Sequence, residues 1–68
     1  MKLLNLIYAL EDCLNFHADS NLWIVECYDD STLYKGQAQK FDRVNMLSRK
    51  VDSWGYIKET DTVKVYLK

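Results

Sequence analysis

The sequence predicts an α+β domain: an N-terminal helix packed on a four-stranded, mostly antiparallel sheet, in the order α-β-β-α-β-β. Three observations predict it. Residues 2–16 carry large aliphatic side chains at helical spacing. Four later stretches are β-branched, aromatic or alternating. The segments between them are rich in Asp, Ser, Asn and Thr, the residues of turns. A helix with one apolar stripe and a sheet with one apolar face bury those surfaces against each other. At 68 residues the chain is a single domain, 1–68.

The helix rests on Leu3, Leu6, Ile7, Leu10 and Leu14, which follow i, i+3, i+4, i+7 and i+11, while Asn5, Glu11, Asp12 and Asn15 fall mostly off that stripe. Residues 17–21 are turn material. The first strand, Leu22 to Tyr28, is apolar on both faces except at Glu26, which places it in the middle of the sheet. Asp29, Asp30 and Ser31 make a turn, because their side chains hydrogen-bond their own backbone, and Thr32 to Ala38 returns as the second strand of a hairpin. Phe41, Val44 and Leu47 suggest a short second helix over 41–48. Val51 to Ile57 and Thr62 to Leu67 are the third and fourth strands, turning at Glu59, Thr60 and Asp61. In the last strand Val63, Val65 and Leu67 alternate with Thr62, Lys64, Tyr66 and Lys68, so one face meets the core and the other meets water. If this closing strand lies at a sheet edge, its unpaired backbone groups can pair with another chain.

Hydrophobic residues make up 49% of the chain, enough for a core and too many for a disordered segment. A domain this short is marginal by itself, and folds of this size lean on disulfides, metals or a second copy. Cys13 and Cys27 do not make a disulfide framework and read as reduced, buried thiols. Residues 1–10 resemble a signal peptide superficially, but Asn5 interrupts them and Glu11-Asp12 replaces a cleavage site. No apolar run approaches the roughly 20 residues that span a membrane. The expected setting is cytoplasmic.

The formal net charge of −1 is unevenly divided. Residues 1–34 hold Lys2 against six acidic residues, a net −5, and residues 35–68 hold eight bases against four acids, a net +4. Either the molecule has two differently charged faces or the halves pair within the fold and cancel.

No catalytic constellation stands in the sequence, and the chain is read as a non-enzyme without cofactor. His17 has no partner for acid–base or triad chemistry. Cys13, His17 and Cys27 fall one ligand short of a structural zinc site. Asp29-Asp30 fits turn chemistry better than metal binding, and Gly36 marks a bulge or a close approach in a strand.

Two surface features are candidates for binding. Lys35, Lys40, Arg43, Arg49 and Lys50 form a basic cluster in sequence, read either as phosphate contacts or, preferably, as a solvated surface, since a pI of 5.6 is a poor footprint for a nucleic-acid binder. Trp54, Tyr56, Lys58, Lys64, Tyr66 and Lys68 form an aromatic–lysine set on the last hairpin. If Val51 and Ile57 face the helix, all six lie on the open sheet face and form an interface, with Trp54, Tyr56, Lys64 and Tyr66 as its contact residues. Equally, Trp54 and Tyr56 belong to the core.

Lys2-Leu3-Leu4-x-Leu6-Ile7-x-x-Leu10, a polar turn, an apolar strand ending Tyr28-Asp29, then Leu33-Tyr34-x-Gly36 and a closing Val63-Lys64-Val65-Tyr66-Leu67-Lys68 resemble short uncharacterised proteins common in phages and prophages of Gram-positive bacteria. The segment 38–50 is more basic here than in that pattern. The resemblance brings no activity, only a setting: the intracellular side of phage–host conflict, where small proteins bind and block a host protein. The expectation is a protein-binding module, an inhibitor of a host or defence protein by occlusion or charge mimicry, with a homodimer as a further use of the same face. A small nucleic-acid-binding accessory protein is the alternative.

Overall fold

A computed structural model describes residues 1–13, 19–42 and 44–68. Leu14, His17 and Arg43, which the sequence singles out, lie outside the described residues.

The described residues form one α-helix, α1 (Leu3–Cys13), and four strands: β1 (Asn21–Glu26), β2 (Thr32–Gln37), β3 (Val51–Ile57) and β4 (Thr62–Leu67). The sheet order is β2-β1-β4-β3. β1 and β2 form an antiparallel hairpin, β3 and β4 another, and β1 runs parallel to β4. The sheet is therefore mixed, with β1 central as expected. The closing strand is not an edge: β4 is inserted between β1 and β3, and the edges are β2 and β3. A strand buried on one face and paired on both sides matches the composition of β4 better than an edge does, since its inward residues Val63, Val65 and Leu67 are fully buried.

The second helix is also corrected. The described residues of segment 38–50 hold two single 3-10 turns, Ala38–Lys40 and Val44–Met46, and no α-helix. Its task explains this. It leaves the sheet at one edge strand and re-enters at the other, a width of roughly 14 Å for three strand spacings. A compact helix wastes that reach. Apolar residues spaced by three are eclipsed in a 3-10 turn, whereas an α-helical stripe also needs the i+4 position. The segment still contributes to the core: Met46 is buried, and Ala38, Phe41 and Leu47 pack against the core, while Val44 is exposed.

Direct cross-strand partners share a face, and successive residues alternate. Leu22, Ile24 and Glu26 stand in register with Val63, Val65 and Leu67. These residues face the helix. The core cluster joins Leu3, Leu6 and Leu10 of α1 to Leu22, Ile24, Val63, Val65, Leu67 and Met46, with Ile7 packed against it. Leu3, Leu6, Ile7 and Leu10 of the apolar stripe thus pack with Val63, Val65 and Leu67.

Local features follow the sequence closely. The Ser31 amide donates to the Asp29 carboxylate at 3.0 Å, an Asx turn, and Asp30 takes a positive φ of 59°. Gly36 lies in β2 under Tyr34, whose hydroxyl donates to the Gln37 carbonyl at 2.6 Å. A Cβ at position 36 would stand 3.1 Å from that hydroxyl oxygen. The turn between β3 and β4 ends at Asp61 with φ 48°. The Asp61 carboxylate accepts from Ser20 Oγ at 3.1 Å and from Tyr56 Oη at 2.8 Å, and its carbonyl accepts from the Asn21 amide at 2.9 Å. One residue thereby ties the start of β1 to the β3–β4 hairpin.

A candidate binding face

Among the described residues, the sheet side chains that join the core with α1 and the 38–50 crossing (Leu22, Ile24, Tyr34, Val51, Val63, Val65 and Leu67) share the first face, and the second face lies opposite. From β1 it presents Asn21, Trp23 and Val25; from β4, Thr62, Lys64 and Tyr66; from β2, Lys35 and Gln37; from β3, Ser53, Gly55 and Ile57. None of these is acidic. The only charges among them are Lys35 and Lys64.

Trp23 is the centre of this face. It stands in register with Lys35 of β2 on one side and Lys64 of β4 on the other. The two ammonium groups lie 4.3 Å and 4.0 Å from the centroid of its indole ring, so each flanking strand supplies one cation to the same ring. Contacts of this kind contribute about 0.5–1 kcal/mol each at exposed sites. Lys64 also lies 5.0 Å from the ring centroid of Tyr66. The indole Nε1 donates to Thr32 Oγ1 at 3.1 Å, which fixes the ring along β1. Val25, in register with Tyr66, is buried on this same face and gives it a small apolar floor. A groove of about 530 Å³ adjoins the ring, lined in part by Asn21, Trp23, Lys35, Ile57 and Thr62.

The register corrects the expected patch. Trp54 stands opposite Val65 and Tyr56 opposite Val63, so both project to the helix-bearing face, while Lys64 and Tyr66 project to the other. The four residues do not form one surface. Nor are Trp54 and Tyr56 core: they are 42% and 41% exposed, because the buried leucines of α1 cluster with the central strands and β3 is an edge. Val51 does face the core side, but Ile57, opposite Thr62, lies on the open face. A register shift between Val51 and Ser53 accounts for this: it breaks the simple alternation that puts 51 and 57 together.

The basic cluster is dispersed. Lys35 lies on the open face and Lys40 is exposed in the first 3-10 turn. Lys50 is exposed and bridges through its backbone to Lys2. Arg49 is engaged internally. It donates two hydrogen bonds to the Glu26 carboxylate, at 2.6 and 2.9 Å, and one to the Lys68 carbonyl at 2.6 Å.

Trp23 is the residue that sequence reasoning missed. In an unbroken run Leu22-Trp23-Ile24-Val25 it reads as buried, and its lysine neighbours are 12 and 41 residues away in the chain. A faint signal was present: Trp is the one member of that run with a polar atom that needs a partner.

Among the described residues no three His, Cys, Asp or Glu side chains gather as a metal site, Cys27 is a free thiol, and no helix is long and apolar enough to cross a membrane. Comparison with protein-family models, curated proteins and solved structures returns no match.

Proposed function

We propose that this chain is a non-catalytic binding module that recognises an acidic surface on a partner protein through its open sheet face and acts by occluding it. The observation that supports this most is Trp23 between the ammonium groups of Lys35 and Lys64, on a face without a carboxylate. Ring and cations have complementary uses at an interface. Trp and Tyr rings supply rigid contact area that loses little entropy on docking. The lysine stems lie along the rings while their heads remain available to carboxylates. Among the described residues neither ammonium has a carboxylate partner. In the phage-like setting that the sequence resemblance implies, the partner is a host or defence protein. The test is affinity capture from host lysate with wild type and with a folded Trp23→Ala/Lys64→Glu variant. A protein retained by wild type and lost by the variant supports the reading. Identical capture by both overturns it.

The same observation favours one second reading, single-stranded nucleic acid, because sheet faces that combine aromatic rings with lysines and lack acids suit stacking and phosphate contact. Fluorescence titration of Trp23 with an oligothymidylate separates the two. Binding that collapses between about 50 and 200 mM salt supports nucleic acid. Absence of any binding at low salt removes it.

A further inference from the structure

A groove of about 530 Å³ crosses the strands beside Trp23 on the open face, a volume in the usual range for a binding pocket. Trp23 and Ile57 supply large side chains to it, while Asn21 and Thr62, in register on β1 and β4, are short. Its floor is strand backbone at Leu22 and Gly36, which stand opposite each other in the β1–β2 ladder. The Leu22 side chain is buried in the core on the other side of the sheet, and Gly36 has none. A flat surface of paired peptide groups therefore lies open between an indole and an isoleucine.

The polar side chains around this surface are already engaged. The Asn21 amide Nδ2 donates to the Thr60 carbonyl at 3.0 Å, the Thr60 and Thr62 hydroxyls share a hydrogen bond at 2.8 Å, and the Trp23 indole N–H is held by Thr32. Asp61, between the two threonines, turns its carboxylate to Ser20 and Tyr56. A nucleobase placed here would find few groups to match its hydrogen-bonding edge, and an unmatched polar edge is costly to desolvate. A hydrocarbon ring has no such edge. It gains contact area against Ile57 and a stacked or edge contact with the indole. The Lys35 ammonium, which lines the groove, lies 4.3 Å from that indole, and the Lys64 ammonium lies 4.0 Å from it.

We infer that the groove seats one aromatic side chain of the partner, carried on an acidic segment whose neighbouring carboxylates meet Lys35 and Lys64. This rests on the proposed recognition of an acidic surface and names the residue that anchors it. Charge selects the flanking groups: the only charges on the face are these two lysines, and among the described residues neither has a carboxylate partner. On an extended segment, side chains two residues apart share one side and stand roughly 7 Å apart. An acid at that spacing from the seated ring therefore stands beside the groove, where the two ammonium groups flank one indole.

Nitrogen–proton correlation spectra of the wild-type chain, titrated with blocked pentapeptides, give the test. The probes are a phenylalanine between two glutamates on each side, the same peptide with alanine at its centre, and a phenylalanine between lysines. The glutamate-flanked phenylalanine should shift the Trp23 indole signal and the amides of Leu22, Gly36 and Ile57. It should bind about tenfold or more tightly than the alanine version, the worth of burying one ring. A Lys35→Glu/Lys64→Glu variant should reverse the preference and take the lysine-flanked peptide; the wild-type comparison stands without it. Equal binding of the phenylalanine and alanine peptides overturns the inference and leaves the acidic reading standing. Equal binding of the glutamate- and lysine-flanked phenylalanines by wild type removes that reading and the inference with it. No shift at millimolar peptide, an oligothymidylate that shifts the same amides at lower concentration than the peptide, or shifts that grow with protein concentration alone, as for a second copy in the groove, likewise overturn it.

Discussion

The guanidinium of Arg49 meets the carboxylate of Glu26 in a two-pronged contact, at 2.6 and 2.9 Å, and a third hydrogen bond carries the same group to the Lys68 carbonyl at 2.6 Å. The pair joins the end of β1, the crossing segment and the end of β4 at one corner. Glu26 projects toward the helix-bearing face in register with Leu67, where an unpaired carboxylate is costly to hold. Planar, two-pronged recognition is a property of arginine that lysine does not reproduce.

This pair makes stability depend on pH. The hydrogen bonds from Arg49 hold the Glu26 carboxyl below its ordinary value of 4.5; burial opposes the shift and the Arg49 charge reinforces it. The unfolded chain therefore takes up the proton first as pH falls. The pair's contribution is fully present well above 4.5 and is lost as pH drops through the lower folded value. Thermal melts across the acid range should show wild type losing stability more steeply than Glu26→Gln. Arg49→Lys should melt below wild type at neutral pH. Parallel acid profiles for wild type and Glu26→Gln would show that the carboxylate contributes nothing.

Tyr56 carries a second titration. Its hydrogen bond to Asp61, then its burial, then the Asp61 charge raise its pKa above the ordinary 10.0. Because the raised value belongs to the folded state, the associated stability is present below 10.0 and is lost as pH rises through the folded value. Ultraviolet titration near the phenolate band should show one of the five tyrosines ionising late. Tyr56→Phe should abolish that late step, and Asp61→Asn should shift it downward. A titration unchanged by Tyr56→Phe refutes the assignment.

The two glycines should respond oppositely to alanine. At Gly36 a new Cβ lies 3.1 Å from the Tyr34 hydroxyl oxygen and displaces the bond to the Gln37 carbonyl, at a cost of about 1 kcal/mol. At Gly55 the added methyl meets nothing within 4 Å and neither glycine has a positive φ, so Gly55→Ala should stabilise by up to about 1 kcal/mol through the lost entropy of the unfolded chain. Urea denaturation of both variants gives the comparison, and equal signs would contradict it.

Leu10 is 2% exposed in the main cluster. Leu10→Ala should cost about 2–5 kcal/mol, a large share of the stability of a domain this small. Leu4, exposed on the same helix, should tolerate alanine with a change within about 0.5 kcal/mol. An unchanged melting temperature for Leu10→Ala would place the apolar stripe of α1 elsewhere.

Sequence pattern fixed what depends on near neighbours. The leucine spacing of α1, the alternation in β4, the Asx turn at Asp29 and the strand limits at Val51–Ile57 and Thr62–Leu67 are all local, because helix pitch, pleat and turn chemistry act over a few residues. What the tertiary structure decided is who stands beside whom. The parallel pairing of β1 with β4 brings residue 23 beside residue 64 and hides β4 in the sheet interior. The shift between Val51 and Ser53 sends Trp54 and Tyr56 to the face opposite Lys64 and Tyr66. Both outcomes turn on strand order and register, and a one-residue slip reverses every side chain on a strand. Segment 41–48 failed for the same reason: its apolar spacing is local, but the distance it must cover is set by two edges that the sheet assembles elsewhere.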